Sequence, residues 1–155
     1  MARIIAVTNQ KGGVGKTTTA VNLAACLAAA DRRVLLIDLD PQANATTGSG
    51  VDKNNLTLTT CEVLLGDARA LDAIIPVEEA GYALMPSSPD LTAAEVRLLQ
   101  EIGREMKLRA ALESVDGMYD YVLVDCPPSI NMLTLNALTA AHGVLIPIQC
   151  EYYAL

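Results

Sequence analysis

A glycine-rich turn that carries two lysines lies near the start of the chain, at residues 10–18. The run before it, 4–7, is apolar and predicts a buried strand, and the alanine-rich segment 16–30 predicts a helix. A turn in this position can direct its backbone N–H groups toward an anion at the helix N-terminus. Gly12, Gly13 and Gly15 give the backbone the freedom that this curvature requires. The order of strand, turn and helix therefore predicts a phosphate-binding loop in an α/β fold.

Within this turn, the pattern G-x-x-x-x-G-K-[ST] is matched only in its second half. Lys16 is placed to reach the β- and γ-phosphates of a nucleotide, and the Thr17 hydroxyl is placed to bind Mg²⁺. Gln10 stands where the first glycine of the pattern belongs, and Lys11 adds a cation at the start of the loop.

The rest of the chain alternates apolar runs with helical patterns. Such alternation predicts a mostly parallel, doubly wound sheet with helices on both faces. Thr92 and Glu95 have the spacing of a capping box and predict the start of a long helix, bent at Gly103. The segment 43–59 predicts a polar loop, and 70–77 is a weakly apolar segment. The predicted strands are 3–8, 34–37, 82–86, 121–125 and 144–148, and the predicted helices are 16–30, 60–65, 92–114 and one from 131.

Three aspartates follow predicted strands. Asp38 and Asp40 come at the end of the second strand, and their side chains would point the same way if that strand continued. Asp125 ends the fourth strand, as expected of a carboxylate that holds magnesium. Because ligands of open α/β sheets bind beyond the carboxyl ends of the strands, we expect these groups beside the nucleotide loop.

The length, charge and hydrophobicity of the chain argue against a broad nucleic-acid surface and against a membrane span. The chain has 155 residues, of which 52% are hydrophobic, which is sufficient for one domain with one core. A net charge of −7 argues against a broad nucleic-acid surface on this segment alone. No apolar stretch approaches the ~20 residues of a membrane span, and no signal peptide is evident, so a cytoplasmic protein without membrane attachment is expected.

The four cysteines show no C-x-x-C spacing and, with His142 as the single histidine, suggest no zinc site. We expect them to be reduced and buried, and we expect His142 to have a structural role at a helix-to-strand turn. The cysteines are Cys26, Cys61, Cys126 and Cys150.

Three motifs together resemble the ParA/Soj family of partition ATPases, within the MinD/ParA superfamily. They are the loop 9–19, which resembles the deviant Walker A motif K-G-G-x-G-K-[ST], the segment 38–42 and the segment 125–129. The resemblance extends over residues 2–155, and members of that family are longer. It therefore implies that 1–155 is a single P-loop ATPase domain that lacks the C-terminal part of the family fold. In the family, that part completes the adenine pocket and carries the basic residues that bind DNA.

The resemblance implies a cytoplasmic, nucleoid-associated dimerisation switch for chromosome or plasmid partitioning. A homodimer would enclose ATP and Mg²⁺, bind DNA nonspecifically through the missing C-terminal part, and hydrolyse ATP slowly until a ParB-type centromere-binding protein stimulates it. Lys16 would stabilise charge on the phosphates, Lys11 would act across the dimer, and Asp40 would orient the attacking water. The implied metal site comprises Thr17, Asp38 and Asp125, and the implied nucleotide site comprises Lys11, Gly12, Gly13, Val14, Gly15, Lys16, Thr17 and Thr18.

Three alternatives remain open at this point: a MinD-type division-site ATPase, an iron–sulfur protein resembling the nitrogenase iron protein, and a nucleotide-binding adaptor without turnover. Gln42 and the turn 127–129 favour the ParA side over the MinD side. Cys126, directly after Asp125, matches the placement of a cluster ligand poorly.

Overall fold

The fold is built on one twisted sheet in which five neighbouring strands run parallel. The computed structural model describes residues 1–8 and 16–148, and for Lys16 the backbone alone. Within that part of the chain the strand order is β3-β4-β2-β5-β1-β6, and β3 alone runs antiparallel to its neighbour. The strands are β1 Arg3–Val7, β2 Val34–Asp38, β3 Ile75–Val77, β4 Tyr82–Met85, β5 Tyr121–Asp125 and β6 Gly143–Leu145.

Helices cover both faces of this sheet. The helices are α1 Lys16–Ala29, α2 Asn44–Gly48, α3 Thr60–Leu64, α4 Ala70–Ala73, α5 Leu91–Leu98, α6 Lys107–Leu112 and α7 Met132–Ala140, with 3₁₀ turns at Arg104–Met106 and Glu113–Val115. Among these helices, none is long and apolar enough to cross a membrane.

Side chains that alternate along the central strands form two cores. In β5, Leu123 packs with residues of α1, whereas Val122 and Val124 pack with residues of α3, α5, α6 and α7. Buried runs with apolar side chains on both faces are typical of central parallel strands. The predicted doubly wound architecture is thereby confirmed.

The edge of the sheet holds a strand that the sequence pattern did not reveal. Residues 70–77, predicted as a weakly apolar segment, form α4 and then the three-residue strand β3. Pro76 lies in β3, which pairs with β4 alone among the described strands. Proline is tolerated there because an edge strand has one side without ladder partners.

The long helix predicted over 92–114 is wrong. Helix α5 ends at Leu98, and the chain resumes helical structure only at Arg104. Gly103 between them has φ 69°, a left-handed conformation that glycine adopts without steric cost and that interrupts a right-handed helix.

The predicted capping box at Thr92 is also wrong, because α5 begins one residue earlier, after Asp90, and has no side-chain cap. A side-chain N-cap occurs instead at Thr59, whose hydroxyl accepts from the Cys61 N–H and donates to Glu62. Two further boundaries differ from prediction: 43–59 contains α2, and the last described strand ends at Leu145.

Candidate active site

Two aspartates meet where the central strands β2 and β5 end. Asp38 and Asp125 are register partners in this parallel pair, and neighbouring strands lie about 4.8 Å apart. Leu36 and Leu123, two residues earlier in each strand, pack toward α1. Both carboxylates therefore lie on the α1 side of the sheet, and both residues are fully buried.

The first turn of α1 reaches this pair. The Thr17 hydroxyl donates a hydrogen bond to Oδ2 of Asp125 at 3.1 Å. The N-terminus of a helix also carries partial positive charge, which favours anions nearby. The threonine after Lys16, the end of β5 and the end of β2 thus converge at one place, as the sequence predicts.

The carboxylate of Asp38 is held by three donors. Its Oδ1 accepts from the Asp40 N–H at 3.1 Å, and its Oδ2 accepts from both the N–H and the hydroxyl of Thr46, each at 2.8 Å. Each carboxylate oxygen can accept about two hydrogen bonds. Oδ2 is therefore saturated, and Oδ1 retains one acceptor position for a ligand, such as a metal-bound water.

The electrostatics of this pair favour a bound cation. Burial, and then the neighbouring negative charge of Asp125, raises the pKa of Asp38 to about 7, although the hydrogen bonds from Thr46 and Asp40 act in the opposite direction. Two buried carboxylates side by side are costly when both are ionised. A divalent cation between them would remove much of that cost.

Asp40 lies in a tight turn and not in an extension of β2. Its carboxylate accepts from the Gln42 N–H at 3.0 Å, and its carbonyl accepts from the Ala43 N–H at 2.8 Å. Because β2 ends at Asp38, the expectation that Asp38 and Asp40 point the same way along a continuing strand does not apply. Asp40 is nevertheless 5% exposed, next to the buried pair.

The predicted phosphate contacts fall mostly outside the described residues. Lys11 and the amides of 12–15 lie there, and of Lys16 only the backbone, at the start of α1, is described. Thr18 follows in the first turn of α1 and is exposed. The roles of these residues remain predictions.

The donor set suits magnesium bound together with phosphates. Mg²⁺ usually binds one or two carboxylates, keeps several waters and takes its other ligands from substrate phosphates. Thr17, Asp125 and Asp38 provide such a set of oxygen ligands. No cluster of three or more His, Cys, Asp or Glu residues suited to a metal occurs in the described ranges, so a complete protein-only metal cage is not found there.

Three buried hydroxyls in this region were not identified from the sequence. Thr46 contacts Asp38, Ser87 donates to the Asp40 carbonyl at 2.6 Å, and Thr60 donates to the Asp38 carbonyl at 3.0 Å. Thr60 and Ser87 lie 22 and 47 residues from their partners, and Thr46 lies in the predicted polar loop, where a threonine carries no periodic signal. Only the side-chain contacts reveal their involvement.

The predictions for the cysteines and for His142 are confirmed only in part. Cys61 and Cys126 are buried, as expected, whereas Cys26 on α1 is exposed, so the prediction of burial is wrong for Cys26. Cys150 lies outside the described residues. The Nδ1 atom of His142 accepts from the Ile4 N–H at 3.0 Å, which fits a structural role beside β1.

Comparisons with known proteins place the chain in a family. A family model described as an AAA domain (AAA_31) matches residues 2–155. The chromosome partitioning protein ParA of Myxococcus xanthus is 55% identical over 155 residues, covering 100% of this chain and 55% of that protein. The sporulation initiation inhibitor protein Soj of Bacillus subtilis is 52% identical, covering 100% of this chain and 61% of its own length. The chain thus spans little more than half the length of these relatives.

Solved structures share the fold of this chain. A cobyrinic acid a,c-diamide synthase from Mycobacterium smegmatis, with bound ATP analog and magnesium, has a TM-score of 0.96 at 48% identity, covering 100% of this chain and 63% of that chain. A plasmid partition protein from Borrelia burgdorferi has a TM-score of 0.84 at 30% identity, covering 99% and 69%. The chain belongs to the AAA domain family and is a homologue of the ParA/Soj chromosome partitioning proteins.

Proposed function

We propose that this chain is the nucleotide-binding part of a partitioning ATPase, which binds ATP with Mg²⁺ at the carboxyl edge of the sheet and hydrolyses it. The observation that carries the proposal is the hydrogen bond from Thr17 to Asp125 beside the register-paired Asp38. The M. smegmatis relative supports it, since that protein has been solved with an ATP analog and magnesium and with ADP and magnesium.

In this proposal each described residue has a defined task. Mg²⁺, when bound, supplies positive charge that offsets the charge on the phosphates. Thr17 and Asp125 would be its protein ligands, and Asp38 would support it through the acceptor position left on Oδ1. Little covalent work remains for the protein in phosphoryl transfer, so placement of charge provides most of the catalysis.

The remaining tasks fall to the loop. Lys16 stabilises negative charge on the β- and γ-phosphates, while Thr18 and the amides of Gly12, Gly13, Val14 and Gly15 hold the phosphates. Asp40 orients the attacking water; its carboxylate lies in the turn that directly follows Asp38.

Lys11 acts across a homodimer in which ATP lies between the two protomers. A cation supplied in trans, like an arginine finger, raises the rate by about 10³–10⁵. Hydrolysis therefore depends on dimerisation, and loss of the γ-phosphate removes the contact that favoured the dimer.

The cellular role follows from the relatives. Their names as ParA and Soj support a switch in partitioning over a MinD-type or an iron–sulfur protein. A net charge of −7 disfavours DNA binding by residues 1–155. We therefore assign nonspecific DNA binding to a C-terminal region that corresponds to the part of the relatives not matched by this chain. A ParB-type partner stimulates hydrolysis.

The test is phosphate release per molecule as a function of protein concentration, with and without DNA and a ParB-type partner. We expect the rate to rise with concentration and to be lost in Lys11→Ala and Asp40→Ala. Lys107→Ala is the matched control and should leave the rate unchanged. Lys107 lies at the start of α6, on the face of the sheet opposite α1, and its Nζ is 2.8 Å from Oε2 of Glu101. A rate independent of concentration would remove Lys11 from the mechanism.

A second candidate function is suggested by the similarity to the M. smegmatis synthase. A synthase would consume ATP in proportion to a cobyrinic acid diamide product and would not respond to DNA. Mass spectrometry of that product, measured alongside phosphate release, separates the two functions.

A further inference from the structure

We infer that Thr46 is a positioning residue that fixes the carboxylate of Asp38 for magnesium binding. The inference rests on the proposed function, since it concerns the same site. Thr46 lies in the short helix α2, eight residues after Asp38, and is fully buried.

The contacts of Thr46 fix the direction of its hydroxyl proton. Its Oγ1 accepts from the Ser87 N–H at 2.9 Å and lies 2.8 Å from Oδ2 of Asp38. A backbone N–H can only donate, so the Thr46 proton is left to point at Asp38. Oδ2 is thereby kept as an acceptor, and the position that remains for a ligand lies on Oδ1.

The same contacts link the two aspartates. Ser87, whose N–H donates to Oγ1 of Thr46, also donates its own hydroxyl to the carbonyl of Asp40 at 2.6 Å. Thr60 donates to the carbonyl of Asp38 at 3.0 Å. Thr46 is thus part of a buried network that holds the side chain of Asp38 and the backbone of both aspartates.

Removal of the hydroxyl has a specific consequence. Without it, the buried Ser87 N–H loses its acceptor, and Oδ2 of Asp38 loses one of its two donors. The carboxylate is then held only by the N–H groups of Asp40 and Thr46, and its orientation toward the metal position is less well fixed. Partners that orient metal ligands in this way typically contribute 10–100-fold to metal affinity.

The test compares Thr46→Val, which removes the hydroxyl at nearly constant shape, with Thr46→Ser, which retains it. Mn²⁺ binding in the presence of ADP is followed by electron paramagnetic resonance, and ADP binding is measured separately in EDTA. We expect Mn²⁺ affinity to fall about 10-fold or more in Thr46→Val and to recover in Thr46→Ser. Metal-free ADP binding should change little in either variant.

Thr59→Val is the matched control. Thr59 is also a buried threonine, 3% exposed, and its hydroxyl caps α3 through Cys61 and Glu62. This control should lower thermal stability without changing Mn²⁺ affinity. If Thr46→Val does not fold, Thr46→Cys, with a weaker donor, should show an intermediate loss.

Equal Mn²⁺ affinity in Thr46→Val (or, if that variant does not fold, in Thr46→Cys) and in the wild type would overturn the role of Thr46 and leave the proposed function intact. Failure of Thr46→Ser to restore binding would also overturn it, because the hydroxyl would not be the cause. A wild-type chain that binds no Mn²⁺ with nucleotide would overturn the proposed function itself, together with the inference.

Discussion

The same two strands, β2 and β5, begin and end in opposite electrostatic environments. At their amino ends, Arg33 and Asp120 form an exposed ion pair, with Nη2 and Oδ1 3.1 Å apart. At their carboxyl ends, Asp38 and Asp125 bring two like charges together in full burial. Opposite charges in water contribute little to stability, whereas like charges in a buried place are costly. This difference indicates that the amino end serves the fold and the carboxyl end serves a ligand.

The pKa values of Asp120 at the amino end and Asp38 at the carboxyl end are shifted in opposite directions. The hydrogen bond from Arg33 lowers the pKa of Asp120, whereas burial and Asp125 raise the pKa of Asp38. A carboxylate with a raised pKa at the end of a parallel strand is a candidate for function.

The largest expected effect comes from neutralising Asp125, at the carboxyl end of β5. Asp125→Asn should reduce Mg²⁺-dependent phosphate release by about 100-fold or more, because a charged metal ligand is lost. Asp120→Asn is the matched control at the other end of β5 and should leave the rate unchanged. Similar losses in both variants would refute the division between the two ends.

A smaller effect is expected on the free energy of unfolding when it is measured against pH in magnesium-free buffer. The folded-state pKa of Asp38 is about 7, above the ~3.9 of an unfolded aspartate, so the folded state binds more protons between these values. The contribution of Asp38 to the free energy of unfolding is therefore fully present below about pH 3.9, is lost as pH rises through about 7, and levels off above that.

Urea unfolding at pH 5, 6, 7 and 8 measures this decrease. Asp125→Asn should show a shallower decrease than the wild type, since it removes a charge that raises the pKa of Asp38. Magnesium with nucleotide should also reduce the decrease. A wild-type stability that increases from pH 5 to pH 8 would contradict the assignment.

The smallest effect is expected from the exposed ion pair. The pKa of Asp120 is lower in the folded protein than in the unfolded chain. Its contribution to the free energy of unfolding is therefore present above the unfolded pKa of about 3.9 and is lost as pH falls through the folded-state pKa. Asp120→Asn should therefore lower the melting temperature slightly at pH 7 and low salt, and less at high salt. A large fall in melting temperature that does not depend on salt would contradict the assignment of Arg33 and Asp120 as a weak, solvent-exposed pair.

The sequence was sufficient to predict the five parallel strands of the sheet and the acidic groups at their carboxyl ends, but not the edge strand β3. Buried apolar runs and the loop before α1 depend on local patterns, so the central strands and the meeting of Thr17, Asp38 and Asp125 could be predicted. The hydroxyl network could not, because Thr46 and Ser87 meet only after β2, α2 and β4 have packed together.

The errors in the helical region have a similar origin. A pattern from 92 to 114 is compatible with one helix, but the chain leaves the helix after Leu98 and then takes a left-handed conformation at Gly103. The exposure of Cys26 depends on how α1 packs on the sheet, which composition does not determine.

The central claim is that Thr17, Asp125 and Asp38 converge on one metal–phosphate site. The most direct test is an anomalous difference map from crystals grown with Mn²⁺ and a nonhydrolysable ATP analog. The account predicts a peak within about 2.2 Å of Oγ1 of Thr17, beside Asp125 and next to the phosphates. A metal and nucleotide bound elsewhere on the chain, with Thr17 still bonded to Asp125, would contradict it.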